Sequence, residues 1–580
     1  MELVLVGLPG SGKSAVGRRL AQRHGALFHD LDEAIEAAAG RSIAEIFAAE
    51  GEVGFRTRER RSVETLGLPD SLPSLTRVIA SGGGAPVDPR NRWRLYHGRL
   101  VVWLDGPTEG LAQRLRHSPT PRPLLRGGDS IATIRALAEA RQRFYAAGRR
   151  VADAPSVGAA VDIVQAVLDE ARPAIAQTRL LDAETRIGRI VLGEGIAAQA
   201  IAEALNRLGA RRAILVSEPG AWSAVGATLS DALATLGLPV ERVLLPEGES
   251  AKRLAVVEMA ASELARLRVE RTEPLVAIGG GALGDSAGFL AATYLRGVPL
   301  IHVPTTLVAQ IDSSIGGKTA VDLPEGKNLV GAFHQPAAIV IDIALLRTLP
   351  ERQLRAALGE AVKMAALGDE RLFELLETDG EAIARGEPAA FERGAVAELV
   401  ERAAWAKVEV VLADEREHGG ERGTTGTAAA GRLALNLGHS LGHAFEAAGG
   451  YGELLHGEAV GYGLRAACRI GLELGVTPAA RAGRIEGLLD VLGLGLGRLP
   501  YGAATVREAL GTDKKHAGGR LRWVLPTADG VVVRSDVAEG LVDGVIAGLL
   551  QPAVRDAAPD SALSSVPGSA VVRGPEVTTR

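Results

Sequence analysis

The sequence predicts an α/β fold in which two parallel-sheet regions are followed by a mainly α-helical region. Short apolar runs alternate with amphipathic segments along residues 1–170 and again along residues 181–350, as strands and their covering helices do in a parallel sheet. After about Pro350 the apolar runs stop, and long segments rich in Ala, Leu, Glu and Arg predict helices. Each α/β region has a glycine-rich loop directly after a strand, where folds of this class bind nucleotides.

The individual elements follow from these runs. An amphipathic helix is predicted at Ser14–His24, and the predicted strands are Leu3–Val6, Arg77–Ala80, Leu100–Leu104, Ala213–Val216, Pro274–Ile278, Leu300–Val303 and Ile339–Ile341. We expect a domain at 1–170, a linker at 171–180, an α/β domain at 181–350, a helical domain at 351–550 and a disordered tail at 551–580. A Gly-, Thr- and Ala-rich stretch, Gly419–Gly431, predicts a loop within the helical domain.

Composition excludes several classes of protein. The 580 residues carry a net charge of -5, which gives no reason to expect a nucleic-acid partner. The single cysteine, Cys468, excludes internal disulfides and cysteine-based zinc clusters. Residues 1–6 have the pattern of a strand and not of a signal peptide, and no apolar run reaches the ~18 residues of a membrane span. We therefore expect a cytoplasmic protein that does not bind membranes.

Lysine is rare in this chain. Only eight of the 65 basic residues are lysines. Either base-composition bias has left them scattered, or they are kept where a compact ammonium does something that guanidinium cannot.

The first glycine loop fits a phosphate-binding motif. Residues 7–14 read G-x-x-x-x-G-K-S between a predicted strand and a predicted helix, which is the context that the motif requires. The backbone of such a loop surrounds the phosphates, its lysine reaches the β- and γ-oxygens, and its serine binds Mg²⁺. The predicted ATP-binding residues of the loop are Gly7, Gly10, Ser11, Gly12, Lys13 and Ser14. A nucleotide-binding switch without catalysis is the main alternative.

The residues that follow favour a kinase with a small anionic acceptor. Asp30 and Asp32 end the second apolar segment, close to the predicted phosphate site. Arginines on separate loops can hold an anion bidentately. The candidates for the acceptor side are Arg56, the triplet Gly82, Gly83 and Gly84, Arg122 and Arg141.

Over residues 1–170 these motifs resemble shikimate kinase. The resemblance implies that Ser14 and, through water, Asp30 serve Mg²⁺, and that Asp32 lies nearest the attacking hydroxyl. It implies that Lys13, Asp32 and Arg122 are catalytic and that Arg116 and Arg122 contact ATP. The implied shikimate-binding residues are Asp32, Arg56, Gly82, Gly83, Gly84 and Arg141.

The second half contains a histidine cluster. His439 and His443 are spaced i, i+4, and His456 follows within 18 residues. Two histidines on one helical face can ligate zinc, so spacing alone pairs His439 with His443. Lysines and arginines in glycine-rich loops nearby predict a substrate with both a carboxylate and a phosphate.

Over residues 178–550 the sequence resembles 3-dehydroquinate synthase. The matching segments include Gly279–Asp285, Asp312–Lys318, Gly326–Leu329, Glu360–Lys363 and Asn436–Ala444. The resemblance implies a Zn²⁺ (or Co²⁺) site of Glu360, His439 and His456, with His443 left for substrate and proton transfer. It implies that Lys363, His443 and Arg296 are catalytic, with Arg296 reaching across a homodimer interface. The implied NAD⁺-binding residues are Glu249, Lys252, Gly280, Gly281, Asp285, Thr305, Thr306, Asp312, Ser313, Lys318, Lys327 and Thr348. The implied substrate-binding residues are Asp312, Lys318, Asn328, Lys363, Lys407, Arg432, Asn436, His443 and Lys514.

Together the two resemblances imply a P-loop kinase domain, a Rossmann-like NAD-binding α/β domain and a mainly α-helical metal- and substrate-binding domain. The implied enzyme is bifunctional: it phosphorylates shikimate with ATP and Mg²⁺, and it converts a phosphorylated seven-carbon keto acid to 3-dehydroquinate with transient NAD⁺ oxidation. The alternatives are a metal-dependent NAD polyol dehydrogenase in the second half, another small-molecule P-loop kinase in the first, or a non-catalytic scaffold. Seven of the eight lysines fall on implied site positions, and only Lys515 has no assigned role.

Overall fold

The computed structural model describes residues 1–69, 74–116, 130–152, 154–170, 177–416, 430–512, 516–517 and 520–551. Several predictions lie outside these residues: the roles of Arg122 and Lys514, residues 171–176 of the linker, residues 419–429 of the Gly-rich loop, and the tail from residue 552. Among the described helices, none is both long enough and apolar enough to cross a membrane.

The first sheet has five parallel strands in the order β2-β3-β1-β4-β5. The strands are β1 (Glu2–Val6), β2 (Leu27–Asp30), β3 (Arg77–Ala80), β4 (Leu100–Asp105) and β5 (Arg149–Ala152). The helices are α1 (Lys13–His24), α2 (Leu31–Ala39), α3 (Ile43–Glu64), α4 (Pro89–Tyr96), α5 (Thr108–Arg116), α6 (Ser130–Tyr145) and α7 (Val157–Glu170). Helices cover both faces, so every residue of β1 is buried, which explains its uninterrupted apolar run.

The second sheet has seven strands in the order β6-β7-β14-β11-β10-β8-β9. Its strands are β6 (Thr178–Thr185), β7 (Gly188–Glu194), β8 (Ala213–Ser217), β9 (Val240–Leu244), β10 (Leu275–Gly279), β11 (Leu300–Pro304) and β14 (Ala338–Asp342). All neighbours pair in parallel except β6 and β7, which form an antiparallel hairpin. The apolar pattern did not predict this hairpin, and residues 178–180 of the expected linker belong to β6.

Helices and a separate hairpin complete the α/β region. The helices are α8 (Ala197–Arg207), α9 (Pro219–Ala221), α10 (Ala227–Thr235), α11 (Leu254–Arg266) and α12 (Gly281–Thr293). The strands β12 (Lys318–Leu323) and β13 (Gly326–Phe333) form an antiparallel hairpin outside the main sheet. This hairpin carries Lys318, Lys327 and Asn328, three predicted binding residues.

Beyond Pro350 the chain is mainly helical, as expected. The helices are α13 (Glu351–Ala366), α14 (Glu370–Ala384), α15 (Pro388–Glu392), α16 (Ala395–Ala413), α17 (His439–Ala448), α18 (His456–Glu473), α19 (Ala479–Val491), α20 (Ala503–Thr512) and α21 (Glu539–Leu549). Two short hairpins interrupt them, β15 (His516–Ala517) with β16 (Arg520–Leu521) and β17 (Trp523–Pro526) with β18 (Val531–Arg534). Twelve of the sixteen residues of α13 are buried, because other helices surround it.

The two halves of the chain pack against each other through α16. The fully buried Arg92 of α4 pairs with Glu401 of α16 and stacks on Phe144 at 4.1 Å. Beside it, the Trp93 indole N–H donates to the Glu392 carbonyl at 3.3 Å. A Cβ on Gly394, just before α16, would lie 2.4 Å from the Trp93 ring. The N-terminal region therefore packs against a helix of the second half.

Candidate active sites

The phosphate-loop motif forms the expected strand–loop–helix connection between β1 and α1. Its glycines Gly7, Gly10 and Gly12 have φ angles of 141°, 81° and 92°, which L-residues with side chains rarely adopt. The buried Lys13 ammonium donates to the carbonyls of Gly7 at 2.9 Å and Leu8 at 3.0 Å. Lys13 is thus held across the loop, and Ser14 is exposed at the start of α1. The geometry suits a nucleotide phosphate.

The acceptor residues gather around the loop that follows β3. A Cβ on Gly82 would lie 2.8 Å from Asp32 Oδ1, and one on Gly84 would lie 2.5 Å from Arg56 Nη1. The Arg141 guanidinium donates to the Gly83 carbonyl at 2.9 Å. A Cβ on Gly83 would lie 3.0 Å from Pro9 of the phosphate loop. The structure therefore brings Asp32, Arg56, the glycine triplet and Arg141 together, next to the phosphate loop.

Carboxylates around this site have distinct environments. Asp30 caps α2 by accepting from the backbone N–H of Asp32 at 3.0 Å. Burial raises the pKa of Glu59, although the Arg56 guanidinium lies 2.9 Å from its carboxylate and acts in the opposite direction. Glu59 thereby orients Arg56 toward the glycine triplet. Asp32 lies on the same side of that triplet, where an acceptor hydroxyl can meet it.

Two further residues concern the nucleotide side. Arg114 of α5 donates to the Gly10 carbonyl of the phosphate loop at 3.4 Å, a contact that the sequence analysis did not identify. Arg116, the predicted ATP contact, is exposed at the end of the same helix. Both arginines lie directly before the segment that contains Arg122, so the edge of the phosphate loop is basic.

The second glycine loop lies where β10 meets α12. A Cβ on Gly280 would lie 3.2 Å from Thr306, and one on Gly281 would lie 2.9 Å from the Ser313 hydroxyl. The Thr305 N–H donates to the Gly279 carbonyl at 3.0 Å, which fixes the turn after β11 against the loop. The Ser313 hydroxyl is buried without a hydrogen-bond partner in the described part of the chain. This close backbone approach with an unsatisfied hydroxyl fits the pyrophosphate of a dinucleotide.

Lysines and carboxylates from the hairpin complete the predicted NAD⁺ region. The buried Lys252 ammonium contacts Asp285 at 2.7 Å and also donates to the Asn328 side chain. Lys327 contacts Glu249 at 2.9 Å. Burial would lower the pKa of Lys252, but Asp285 and Glu249 outweigh it and raise the pKa above the ordinary value. These pairs connect the β12–β13 hairpin to α12 and to the 3₁₀ turn at Gly248–Ala251.

A buried ionic cluster surrounds Asp312. Its Oδ1 lies 2.8 Å from Lys407 of α16 and 3.7 Å from Lys363 of α13. Burial raises the pKa of Asp312, but the two lysines outweigh burial and hold that pKa below its ordinary value. The pKa of Lys407 is lowered by burial, whereas the pKa of Lys363 is raised because Asp312 and Glu360 overcome burial. Lys363 and Lys407 share one aspartate, so this part of the cluster carries excess positive charge. An anionic group of the substrate could bind there.

The remaining predicted substrate residues lie on adjoining elements. The buried Arg432 guanidinium donates to the Gly316 carbonyl at 3.2 Å and to the Glu415 carbonyl at 2.6 Å. Lys318 is exposed at the start of β12. Asn436 ends the 3₁₀ turn at Gly431–Asn436, three residues before His439. These residues therefore come from the hairpin and from the segment that follows the predicted loop.

Three histidines lie close together, and two of them face Glu360. Their rings lie 5.2–5.8 Å apart, and one ligand nitrogen from each lies within 4.8 Å of the others. The Glu360 Oε1 atom is 3.4 Å from His439 Nε2 and 3.2 Å from His456 Nε2. The structure thus brings together both the Glu360, His439 and His456 set and the His439–His443 pair.

The site fits a divalent metal. Glu360 is fully buried; its Oε2 atom pairs with the Lys363 ammonium, and its Oε1 atom faces the Nε2 atoms of His439 and His456. Burial raises the pKa of Glu360, but Lys363 and His456 hold it far below its ordinary value. A buried anionic carboxylate beside imidazole nitrogens is the donor set that zinc prefers. A cation at this point would bind Glu360 Oε1 together with the two Nε2 atoms that face it.

Two predicted residues are not brought into these clusters. Arg296 is exposed on a turn where Leu295 and Arg296 have φ angles of 50° and 66°. Thr348 is exposed and donates its hydroxyl to the Leu345 carbonyl at 2.9 Å. Two site residues were not predicted from the sequence: Glu446, which contacts His456, and Tyr451, whose ring lies 4.5 Å from Lys327.

Six of the eight lysines lie in the described ranges, and each of them belongs to one of these clusters or to the β12–β13 hairpin. The fold and the two clusters define a P-loop small-molecule kinase joined to an NAD- and metal-binding enzyme with a site for an anionic substrate.

Comparison with known proteins shows which families the two halves of the chain match. Residues 9–171 match the shikimate kinase family, residues 242–356 the 3-dehydroquinate synthase N-terminal family, and residues 357–516 the 3-dehydroquinate synthase C-terminal family. The 3-dehydroquinate synthase of Symbiobacterium thermophilum is 42% identical over 354 residues, covering 60% of this chain and 94% of that protein. That of Halorhodospira halophila is 41% identical, covering 64% and 99%. The chain therefore belongs to the 3-dehydroquinate synthase family and carries a shikimate kinase domain in front of the synthase.

Solved structures agree with this assignment. ValA, a 2-epi-5-epi-valiolone synthase from Streptomyces hygroscopicus subsp. jinggangensis with NAD⁺ and Zn²⁺ bound, is 29% identical, with a TM-score of 0.56 over 62% of this chain and 96% of that one. A 2-deoxy-scyllo-inosose synthase complexed with carbaglucose-6-phosphate, NAD⁺ and Co²⁺ is 25% identical, with a TM-score of 0.55 over 65% and 100%. The second half thus shares its fold with enzymes solved with NAD⁺ and a divalent metal.

Proposed function

We propose that this chain is a bifunctional enzyme of the shikimate pathway. Its N-terminal domain phosphorylates shikimate with ATP and Mg²⁺. Its larger part converts 3-deoxy-D-arabino-heptulosonate 7-phosphate to 3-dehydroquinate with release of phosphate, using NAD⁺ and Zn²⁺ or Co²⁺. The observation that carries the synthase assignment is the cation cluster of Lys363, Lys407 and Arg432 beside the Glu360–histidine cluster, because a polyol offers no charge for such cations to bind.

The kinase residues act on the acceptor and on the transferring phosphate. Arg56, Arg141 and the glycine triplet hold shikimate, and Asp32 accepts the proton of the attacking hydroxyl. Lys13 neutralises charge on the β- and γ-phosphates. Ser14 and Asp30 are the residues that would hold Mg²⁺. Arg122 and Arg116 complete the nucleotide side in this proposal.

The synthase residues bind, orient and move protons. When bound, NAD⁺ supplies a hydride acceptor and donor, and the metal supplies a Lewis acid that acidifies the neighbouring C–H. Glu360, His439 and His456 would hold the metal, and the glycine loop, Thr305, Thr306 and Ser313 would hold the pyrophosphate. Lys363, Lys407, Arg432 and the hairpin residues bind the substrate carboxylate and phosphate. His443, whose ring lies 5.3 Å from that of His439, is placed to move a proton at the substrate.

One assay separates the synthase from a polyol dehydrogenase. Full-length protein with zinc, a catalytic amount of NAD⁺ and the phosphorylated keto acid is expected to release inorganic phosphate without accumulating NADH. NADH formed in proportion to substrate would refute the synthase assignment. A Lys363→Met variant should lose phosphate release and keep kinase activity.

The kinase assignment is tested in the same preparation. Shikimate-dependent ADP formation should fall at least about 100-fold in Lys13→Ala and in Asp32→Ala, because each removes charge stabilisation or the base at the transferring group. Phosphate release by the synthase should persist in both variants. Loss of both activities together would contradict two independent sites.

We also propose a homodimer through the synthase half, in which Arg296 completes the partner subunit's site. Support comes from its exposed position on a turn where Leu295 and Arg296 both have positive φ. Arg296→Ala and Lys363→Met should each be nearly inactive as synthases. Mixed dimers of the two should recover up to about a quarter of wild-type activity, because only one site of each heterodimer is intact. No recovery from mixed dimers would refute the shared site.

A cytoplasmic location belongs to the same proposal, because both activities use the cytoplasmic metabolites ATP and NAD⁺. The single cysteine is buried and free, as suits a reducing compartment.

A further inference from the structure

We propose that Glu446 is a positioning residue of the metal site, which holds His456 so that its Nε2 atom is free to bind the metal. This inference rests on the metal-ligand assignment of the proposed function. Glu446 lies outside the ligand set implied by the sequence. It is a partner of a ligand, and its effect is therefore expected first in metal affinity.

The geometry places Glu446 beside His456. Glu446 is on α17, seven residues after His439 and three after His443, so the three side chains share one face of the helix. His456 is the first residue of α18, and its Nδ1 atom lies 3.2 Å from Glu446 Oε2. On the other side of the ring, His456 Nε2 lies 3.2 Å from Glu360 Oε1. The imidazole is therefore held between two carboxylates.

A cation beside Glu360 would take the Nε2 lone pair of His456, and Glu446 would then select the tautomer that carries its proton on Nδ1. A ring whose Nδ1–H donates to a carboxylate keeps its Nε2 lone pair for a metal, and the carboxylate makes that nitrogen a better donor. His439 is oriented in the same sense, because its Nδ1 atom lies 3.1 Å from the Leu437 carbonyl and its Nε2 faces Glu360. Both rings thus use Nδ1 to contact the protein and direct Nε2 toward Glu360.

The second oxygen of Glu446 faces the β12–β13 hairpin. Lys327 lies 4.0 Å from Glu446 Oε1, 2.9 Å from Glu249 and 4.5 Å from the centre of the Tyr451 ring. Glu446 is buried, and a buried carboxylate is costly unless it is paired. Its two partners are a metal ligand on one oxygen and a predicted NAD⁺-binding lysine on the other. Glu446 is therefore the side chain that joins the metal site to the hairpin.

The test measures zinc binding by the full-length protein with zinc alone. Glu446→Ala should weaken zinc binding in chelator competition about 10- to 100-fold, the usual effect of removing such a partner. Glu446→Gln keeps the shape and an acceptor oxygen, so its loss should be smaller. The Co²⁺-substituted protein should show a changed visible absorption spectrum in both variants, because the ligand field at His456 changes.

The matched control is Glu473→Gln on the same helix as His456. Glu473 is exposed at the end of α18, so this variant makes the same charge change away from the site. Zinc affinity should be unchanged in it. Shikimate kinase activity, measured on the same molecules, should stay at the wild-type level in all variants, and an unchanged far-UV circular dichroism spectrum should show that the synthase half remains folded.

Each outcome decides the question. If Glu446→Ala binds zinc as tightly as wild type while His456→Ala does not, the role of Glu446 is overturned and the ligand assignment stands. If His456→Ala also binds zinc as tightly as wild type, the ligand assignment fails and the inference fails with it. Weakened binding in Glu446→Ala with intermediate binding in Glu446→Gln supports the inference.

Discussion

Acid is expected to loosen the NAD-binding sheet through a single buried histidine. His302 lies in the middle of β11, two residues before Pro304 and three before Thr305 of the predicted NAD⁺ site. It is 6% exposed and packs beneath α12, where a Cβ on Gly284 would lie 3.4 Å from its ring. Burial and the neighbouring His334 lower the pKa of His302 to about 4. The folded protein therefore keeps this ring neutral.

The magnitude follows from the shift. The pKa of His302 falls from about 6.5 in the unfolded chain to about 4 in the folded one. Protonation of this residue can therefore lower the free energy of unfolding by about 3 kcal/mol. Because the unfolded state binds the proton more readily, this stability is fully present above about pH 6.5 and is lost as the pH falls toward about 4. At about pH 5.5 the loss should already be about 1.4 kcal/mol.

Hydrogen exchange with mass spectrometry can isolate this effect. Peptides that cover β10 and β11 should lose protection between about pH 6.5 and 5 in the wild type relative to His302→Phe, which cannot be protonated. Peptides from β1 in the first sheet serve as the internal control and should show no such difference. Equal pH dependence of β11 protection in the two proteins would refute the reasoning.

Two other predictions concern the synthase metal and the contact between the halves. A chelator that prefers transition metals, added with excess Mg²⁺, should abolish phosphate release and leave shikimate phosphorylation intact; parallel loss of both activities would contradict a metal site confined to the synthase. Arg92→Met should destabilise the protein by about 3–5 kcal/mol, because it leaves the buried Glu401 unpaired, and Arg92→Met with Glu401→Leu should restore much of that stability. Urea unfolding of the wild type, both single variants and the double variant gives the double-mutant cycle. If the changes in free energy of unfolding simply add, Arg92 and Glu401 are not coupled.

The sequence was informative where function depends on short motifs. The phosphate loop, the glycine loop after β10 and the histidine spacing each lie within a few residues, so their chemistry can be predicted without tertiary information. The buried strands were equally accessible, because a strand covered on both faces has an uninterrupted apolar run, as in β1 and β10. The class of fold and the kinds of ligand, a nucleotide phosphate and a divalent metal, were therefore predictable from local patterns, whereas the two activities were implied by the resemblance of longer segments to two families.

Long-range contacts were not predictable in the same way. The environment of Asp312 is made by Lys363 and Lys407, which are 51 and 95 residues away in the sequence, and nothing local indicates that they meet. The β6–β7 hairpin was missed because its first strand begins where the periodicity lapses near the expected linker. Glu446 is different: its spacing of seven from His439 was a usable signal, because i, i+4 and i+7 lie on one helical face.

Because of its contacts with both halves, helix α16 ties this kinase domain to this synthase, so neither could be replaced by a homologue without loss of contacts. The turn before it contacts Trp93, and its Glu401 pairs with Arg92. Trp405 in its middle stacks on Arg143 at 4.0 Å, and Lys407 two residues later reaches Asp312. A synthase expressed from residue 178 onward would expose Glu401 and Trp405 to water, directly beside its own substrate lysine. A different kinase placed in front would have to present an arginine and a tryptophan at the same spacing. Cutting the chain between Glu170 and Gln177 should therefore leave the two pieces associated, held by α4, α6 and α16.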